Sequence, residues 1–185
     1  MNASDRDDAT TSNSESGMVP NDDVAAFLRS WDGVAATLID RHLTISGSSR
    51  LAEALFPNLH PGVNLAREIF LEVMPKREYR CAEEMGHQVV AALHASLAWH
   101  EEDAEFEKIV GELSTLSRAF STAWAADRRR LRPHGVVSAT HPFAGELSLK
   151  YQLLELAAGS NDVLIVWSGA DAKSETALNG LAASA

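Results

Sequence analysis

Hydrophobic positions follow successive patterns along the chain, each typical of a different element. Residues 1–21 are rich in Ser, Thr, Asn and Asp and contain almost no apolar side chains. Because such a segment cannot offset its ordering entropy by burial, we expect a disordered acidic tail there. Residues 21–23 would cap a short helix that follows. Its apolar face is predicted from a helical spacing of Val24, Phe27, Leu28 and Trp31.

Two short runs after this helix have the character of strands. Residues 34–40 and 43–45 are mostly apolar or β-branched, and only Arg41 and His42 separate them. A linker of that length fits a tight turn. The pattern therefore predicts a hairpin that opens a β-sheet.

The middle of the chain has the spacing of amphipathic helices. Ser48 or Ser49 would cap a helix that ends before Pro57, and Asn64 and Ser117 would cap later ones. Apolar residues recur on one face of each predicted helix. The stripes are Leu65, Ile69 and Phe70; Cys81, Met85, Val89, Leu93 and Leu97; Phe106, Ile109, Val110 and Leu113; and Phe120 and Trp124.

The final third returns to strand patterns. Residues 135–140 form one predicted strand, and 147–153 alternate apolar and polar side chains, as in a strand with one solvated face. A turn at 159–161 precedes 163–167, which are continuously apolar and fit a central strand. A helix over 174–181 closes the chain.

This order of elements predicts an α+β fold, an antiparallel sheet of about five strands with helices packed on one face. The length of 185 residues favours one folded domain, which we place at 22–183. Two interpretations fit this layout. The space between sheet and helices is either a ligand pocket or a filled core, and periodicity does not separate them.

Composition excludes several function classes. A net charge of −10 disfavours contact with nucleic acid or anionic membranes. No apolar run reaches the about 18 residues of a membrane span, and the N-terminus lacks the apolar core of a signal peptide. We therefore expect a cytoplasmic protein. Cys81 is the single cysteine and is interpreted as a buried core residue.

Catalytic and metal-binding motifs are not evident. His87 and His94 are seven residues apart, wider than a usual zinc pair, and the chain has no HExxH, CxxC or GxSxG motif. We expect no metal, no cofactor and no enzyme activity. Residues 100–103 are interpreted as a helix end facing water. The basic run of 128–130 and Arg132 would complement a helix dipole or contact an acidic partner.

Five segments resemble motifs of one protein family. Residues 141–151 (HPFAGELSLKY) resemble an HPxxGxLxLxY signature, and 117–124 (SRAFSTAW) resemble SxxFxxxW. Residues 109–113 (IVGEL), 64–67 (NLAR) and 50–56 (RLAEALF) are similar to LVGEL, NLAR and RLAxALF. These motifs are those of the MmyB-like ligand-binding domain of bacterial transcription regulators, and the resemblance runs from about Phe27 to Leu181.

The resemblance implies a PAS-like fold that binds apolar, fatty-acid-like ligands and that follows an Xre-type helix-turn-helix domain. The chain departs from the family in two ways. Ser48 and Ser49 stand where the family has Trp-Asn, a loss that would enlarge or reshape the pocket. A helix-turn-helix needs roughly 55–65 residues, and the thirty before Trp31 do not supply it. We therefore expect no direct DNA binding.

These observations favour a ligand-sensing domain that regulates transcription through a DNA-binding partner. The alternatives are a dimerisation or interaction module without a ligand and, less well supported, a small-molecule enzyme. In the signature, Pro142 and Gly145 would shape a turn and His141 would bond to nearby backbone. Each member of the predicted pocket lining fits plain core better than it fits a ligand wall. The lining is Leu38, Phe70, Met85, Val89, Leu93, Phe120, Trp124, Tyr151 and Trp167.

Overall fold

Five strands form one antiparallel sheet in the computed structural model, which describes residues 21–76, 82–126, 130–156 and 161–184. Their order across the sheet is β2-β1-β5-β4-β3. The predicted α+β, PAS-like fold is confirmed, with 163–167 in the central strand. The strands are β1 (Ala35–Ile39), β2 (Ile45–Ser48), β3 (His134–His141), β4 (Gly145–Glu155) and β5 (Val163–Gly169).

Some predictions lie outside the described residues. They are the disordered tail over residues 1–20, the buried Cys81, Arg128 and Arg129 of the basic run, and most of the turn at 159–161. Within the described part of the chain, no helix is both long and apolar enough to cross a bilayer.

Most helices pack on one face of the sheet, around one large core cluster. A π-helix (Glu68–Val73) joins α3 to α4, and a 3-10 turn (Leu97–Trp99) follows α5. The helices are α1 (Asn21–Arg29), α2 (Arg50–Leu55), α3 (Leu65–Arg67), α4 (Met74–Lys76), α5 (Ala82–Ser96), α6 (Ala104–Leu116), α7 (Arg118–Ala126) and α8 (Ala172–Ala182).

Helix α1 is the exception, because it covers the opposite face of the sheet. Leu28 of α1 forms a separate buried cluster with Ala36, Leu38 and Leu164 of the sheet. Gly47 of β2 permits this contact. A Cβ atom there would lie 2.9 Å from the Cα of Ala25 in α1, closer than real Cβ atoms approach. The glycine is therefore required by the approach of α1.

The helix caps predicted from the sequence are confirmed at Ser49, Asn64 and Ser117, each of which accepts a bond from the backbone of the following turn. Ser49 is fully buried and does more than cap. Its Oγ also accepts from the N–H of Ala36 at 2.9 Å and donates to the carbonyl of Val34 at 2.6 Å. This one hydroxyl therefore ties β1 to the start of α2.

The predicted second strand at 43–45 is wrong in its position, since β2 begins only at Ile45. Leu43 has a φ of 63°, in the left-handed region that strands do not use. The carboxylate of Asp40 accepts from the N–H groups of His42 and Thr44, both at 2.8 Å. These bonds extend the turn to Thr44 and delay the strand.

Candidate functional site

An apolar cavity of about 90 Å³ lies between the sheet and the helices α3 and α5. Alternate residues of three neighbouring strands form its floor: Thr37, Ile39, Tyr151, Leu153, Ile165 and Trp167. Its helical wall is formed by Leu65, Ile69, Met85, Gln88, Val89 and Ala92. None of the described side chains that line it is charged.

Four of the nine predicted lining residues lie at the cavity wall, namely Met85, Val89, Tyr151 and Trp167. The sequence analysis missed several neighbours that period-two alternation could have supplied. Leu153 follows Tyr151 by two positions on β4, and Ile165 precedes Trp167 by two on β5, so each pair shares a face.

The other five predicted residues do not line this cavity. Phe70 and Phe120 pack edge to face, with centroids 5.1 Å apart, and are fully buried in the core together with Leu93. Trp124 stacks on His94 at 4.0 Å. Leu38 points away, toward α1, because Thr37 and Ile39 on either side of it face the cavity.

A second apolar cavity of about 40 Å³ adjoins the first. The two share Leu59, Ile69 and Met85, so these side chains form the partition between them. Ile69 lies in the π-helix, an element common at functional sites that the sequence did not predict. Methionine is flexible and adapts to irregular gaps. Met85 is therefore the most adaptable of the three side chains in the partition.

Tyr151 occupies its place in the floor because its neighbour in β3 has no side chain. Gly135 pairs with Tyr151 across the sheet, and a Cβ there would lie 2.8 Å from the phenol ring. Burial raises the pKa of the Tyr151 phenol, and the nearby Glu84 raises it further. The phenol is therefore neutral at physiological pH.

A polar group of three side chains closes one edge of the cavity beside Leu131. Gln88 accepts from the backbone N–H of Arg132 at 3.0 Å and donates to Glu84 at 3.3 Å. The guanidinium of Arg132 lies 3.1 Å from the same Glu84 carboxylate. Each end of the Gln88 amide thus makes one hydrogen bond, and this part of the basic run holds a loop against α5.

The HPxxG segment stabilises the β3–β4 turn and does not line the cavity. Nε2 of His141 lies 2.9 Å from the carbonyl of Ala54, so it carries the proton, and Nδ1 accepts from the N–H groups of Phe143 and Ala144. Gly145 has a φ of 72°, which favours glycine. The imidazole is buried and joins the β3–β4 turn to α2.

The position where the family has Trp-Asn also lies away from the cavity. Ser48 and Ser49 are both buried, but neither lines its wall. If the two serines change the shape of the pocket, as predicted, they do so without contacting the cavity themselves.

Two of the family motifs meet in space. Arg67 of the NLAR segment donates through Nε and Nη2 to one carboxylate oxygen of Glu112 in the IVGEL segment, at 2.9 and 2.7 Å. Both side chains are partly exposed, so the pair positions α6 against α3 more than it stabilises the fold.

A cluster of His42, His100 and Asp103 is the group of potential metal ligands found among the described residues. Both imidazoles lie within 2.9 Å of Oδ2 of Asp103, and the guanidinium of Arg41 is 3.0 Å from the same oxygen. A carboxylate has no proton to donate, so the ring nitrogens donate. A cation placed there would face Arg41. The geometry fits an Asp103 carboxylate that accepts hydrogen bonds from its neighbours better than it fits a metal site.

The prediction that 100–103 face water is wrong for His100. Its side chain is fully buried and stacks on Phe106 at 4.1 Å, whereas Glu101 and Glu102 are exposed. Asp103 explains the difference, because it caps α6 through its other oxygen while it accepts from His100.

Asp103 should make stability depend on pH. Hydrogen bonds from His100 and then His42 hold the pKa of this carboxyl far below its usual 3.8. The stabilisation is therefore present above the usual pKa and is lost as pH falls below it. Asp103→Asn keeps an acceptor for the cap but not the charge. Urea unfolding should show it less stable than wild type at about pH 7, by a deficit that narrows as pH falls below 3.8 and is smaller at about pH 2.5.

Asp103→Ala is the matched control for this experiment. It removes the cap as well as the charge, so it should remain less stable than Asp103→Asn across the same range. A deficit in Asp103→Asn that is the same at both pH values would contradict the assignment.

Residues 20–181 match the model of one protein family, described as the MmyB-like transcription regulator ligand binding domain. The match covers almost the whole of the described chain and includes every element of the sheet. None of the individually curated proteins compared with the chain matches it.

Proposed function

The chain belongs to the family of MmyB-like transcription regulator ligand binding domains, and we propose that it senses a small apolar, fatty-acid-like molecule in the cavity between its sheet and helices α3 and α5. Membership supports a ligand-binding regulatory domain of a transcription regulator. The observation that carries the proposal is the uncharged, almost wholly apolar lining of the cavity.

The size of the cavity limits the ligand. A dry apolar cavity of about 150 Å³ holds a benzene molecule, and this one is about 90 Å³. It is smaller than that cavity, so as it stands it has room only for a very short chain. A longer acyl chain requires Met85 to move and open the second cavity. Each methylene buried contributes about 0.8 kcal/mol, which offsets the cost of that movement.

We further propose that the domain acts in the cytoplasm through a DNA-binding partner. The net charge of −10 supports this, because an acidic surface repels the phosphate backbone. A ligand that binds one conformation better than another shifts the equilibrium between them, and a partner that contacts the domain would sense the shift.

Exposed apolar residues favour a second candidate function, an interaction or dimerisation module. Phe27 of α1 is 59% exposed, and Val136 and Leu154 are exposed on the same outer face of the sheet. Clustered exposed apolar side chains mark contact surfaces. Light scattering decides this candidate, since a monomer at all concentrations would count against self-association.

The ligand proposal is tested on the purified protein. Solvent extraction followed by mass spectrometry should recover a small apolar molecule, and added medium-chain fatty acids should raise the melting temperature, because a ligand that binds only the folded state stabilises it. A protein that carries no such molecule and whose melting temperature is unchanged at every chain length would overturn the proposal.

A further inference from the structure

Two hydrogen-bond donors converge on one oxygen at the edge of the cavity. Nε2 of Gln88 donates to Oε1 of Glu84 at 3.3 Å, and Nη1 of Arg132 donates to the same oxygen at 3.1 Å. The backbone N–H of Arg132 donates in turn to Oε1 of Gln88 at 3.0 Å, which holds the two donor residues together. A small anionic group placed here is therefore within reach of both donors.

This pair of donors lies beside the cavity wall. Gln88 itself lines the cavity, as does Leu131, the residue before Arg132. Glu84 is one helical turn before Gln88 on α5, so the two side chains share a face of that helix. Gln88 and Leu131 are half-buried and Arg132 is exposed, so the cavity approaches solvent at this edge. A charged group bound here would keep part of its hydration and avoid the cost of complete burial.

The charges at this edge act on the floor of the cavity. Burial and the carboxylate of Glu84 raise the pKa of the Tyr151 phenol, and the guanidinium of Arg132 lowers it. Tyr151 is one of the residues that line the cavity. Because Coulomb interactions weaken with distance, this dependence agrees with a position of both charges near the space that a ligand would enter.

The two donors suit a carboxylate. Guanidinium and amide N–H groups bind carboxylate oxygens through charge-assisted hydrogen bonds, and Glu84 already supplies such an oxygen. Each donor group carries more N–H groups than the one it uses here. Among the described residues, neither the Gln88 amide nor the Arg132 guanidinium donates to a second acceptor.

We propose that the ligand is a monocarboxylate that binds Gln88 and Arg132 through its acid group, in place of Glu84, and extends its alkyl tail into the cavity. The inference rests on the proposed ligand-sensing function and deepens it, because it assigns the polar end of the ligand to one edge of the site. Only the tail then needs room in the apolar cavity. Glu84 is a competitor within the protein, which the ligand must displace.

The test compares hexanoate with hexanamide, which has the same chain and a similar shape but no charge. The affinity of each probe is measured by NMR titration at about pH 7, where hexanoate is ionised. The readout is the ratio of hexanoate to hexanamide affinity, because a change in the cavity itself alters both affinities alike.

Substitutions of the two partners should change this ratio in opposite directions. Arg132→Gln should lower it about fivefold, and Glu84→Gln should raise it by a similar factor, because it removes the competing carboxylate. Both substitutions break the same ion pair, so a merely structural role of that pair would not separate them. Lys150→Gln is the matched control. It removes the same charge from an exposed position on the outer face of the sheet, and its ratio should equal that of wild type.

Each other outcome overturns one or both proposals. If both probes bind and the ratio is unchanged in the two edge variants, or falls in both, the inference fails while the ligand-sensing proposal stands. Binding of hexanamide without binding of hexanoate would likewise overturn the inference alone. If neither probe binds to wild type, both proposals fail.

Discussion

Replacing Ala92 with leucine should reduce affinity for short apolar probes by more than about tenfold, or about 1.4 kcal/mol. Ala92 projects from α5 into the cavity wall, so its larger replacement would fill the space that a ligand needs. The folded protein should tolerate the change within about 1 kcal/mol, because added contacts offset the strain of a tighter core. Calorimetry with 2-hexanone and thermal unfolding measure the two effects.

Ala95→Leu is the matched control for this variant. Ala95 lies on the same helix but is exposed, so the same substitution should leave probe affinity unchanged. Undiminished binding to a folded Ala92→Leu protein would place the ligand elsewhere.

Removing the imidazole of His141 should cost about 3 kcal/mol of unfolding free energy, the largest stability effect expected here. The residue is 4% exposed, and its ring bonds to three backbone groups, the carbonyl of Ala54 and the N–H groups of Phe143 and Ala144. His141→Ala removes the side-chain partner of all three groups, which lie in a partly buried site. Urea unfolding of wild type and variant measures the loss.

His141→Asn distinguishes the contribution of Nδ1 from that of Nε2. An asparagine oxygen can take the place of Nδ1 and hold the turn, but the side chain does not reach the carbonyl of Ala54. Its loss of stability should therefore be smaller than that of alanine. Equal stability of His141→Ala and wild type, within about 0.5 kcal/mol, would contradict the structural role of the motif.

Features with local causes were predictable from the sequence. The caps at Ser49, Asn64 and Ser117 depend on a side chain and a backbone group three residues apart. The central strand at 163–167 was predicted because a strand buried on both faces is continuously apolar. Each of these signals lies within one short segment of the chain, so it can be recognised from the sequence alone.

Which face of strand β1 meets the cavity was not predictable from the sequence. All five residues of this strand are buried, since α1 covers one side and the other helices cover the second. Alternation of polar and apolar side chains therefore gives no sign of which face meets the cavity. That is why Leu38 was proposed as lining and Ile39 was not.

Contacts between distant segments account for the remaining differences. In the sequence, His100 precedes two glutamates and so looks solvent-exposed. It is buried because Asp103 accepts its hydrogen bond and also binds Arg41 and His42, which lie about sixty positions earlier in the chain. The contact between Arg67 and Glu112 likewise joins two motifs that the sequence shows separately. The spacing of residues along the chain does not indicate either arrangement.

The location of a bound ligand tests the central claim most directly. Isotope-filtered NMR on the labelled protein with 2-hexanone should give intermolecular NOEs to the methyl groups of Met85, Val89 and Ile165, which meet at the cavity. NOEs confined to Val136 and Leu154 on the outer face of the sheet, or none at saturating probe, would contradict a ligand site between the sheet and the helices.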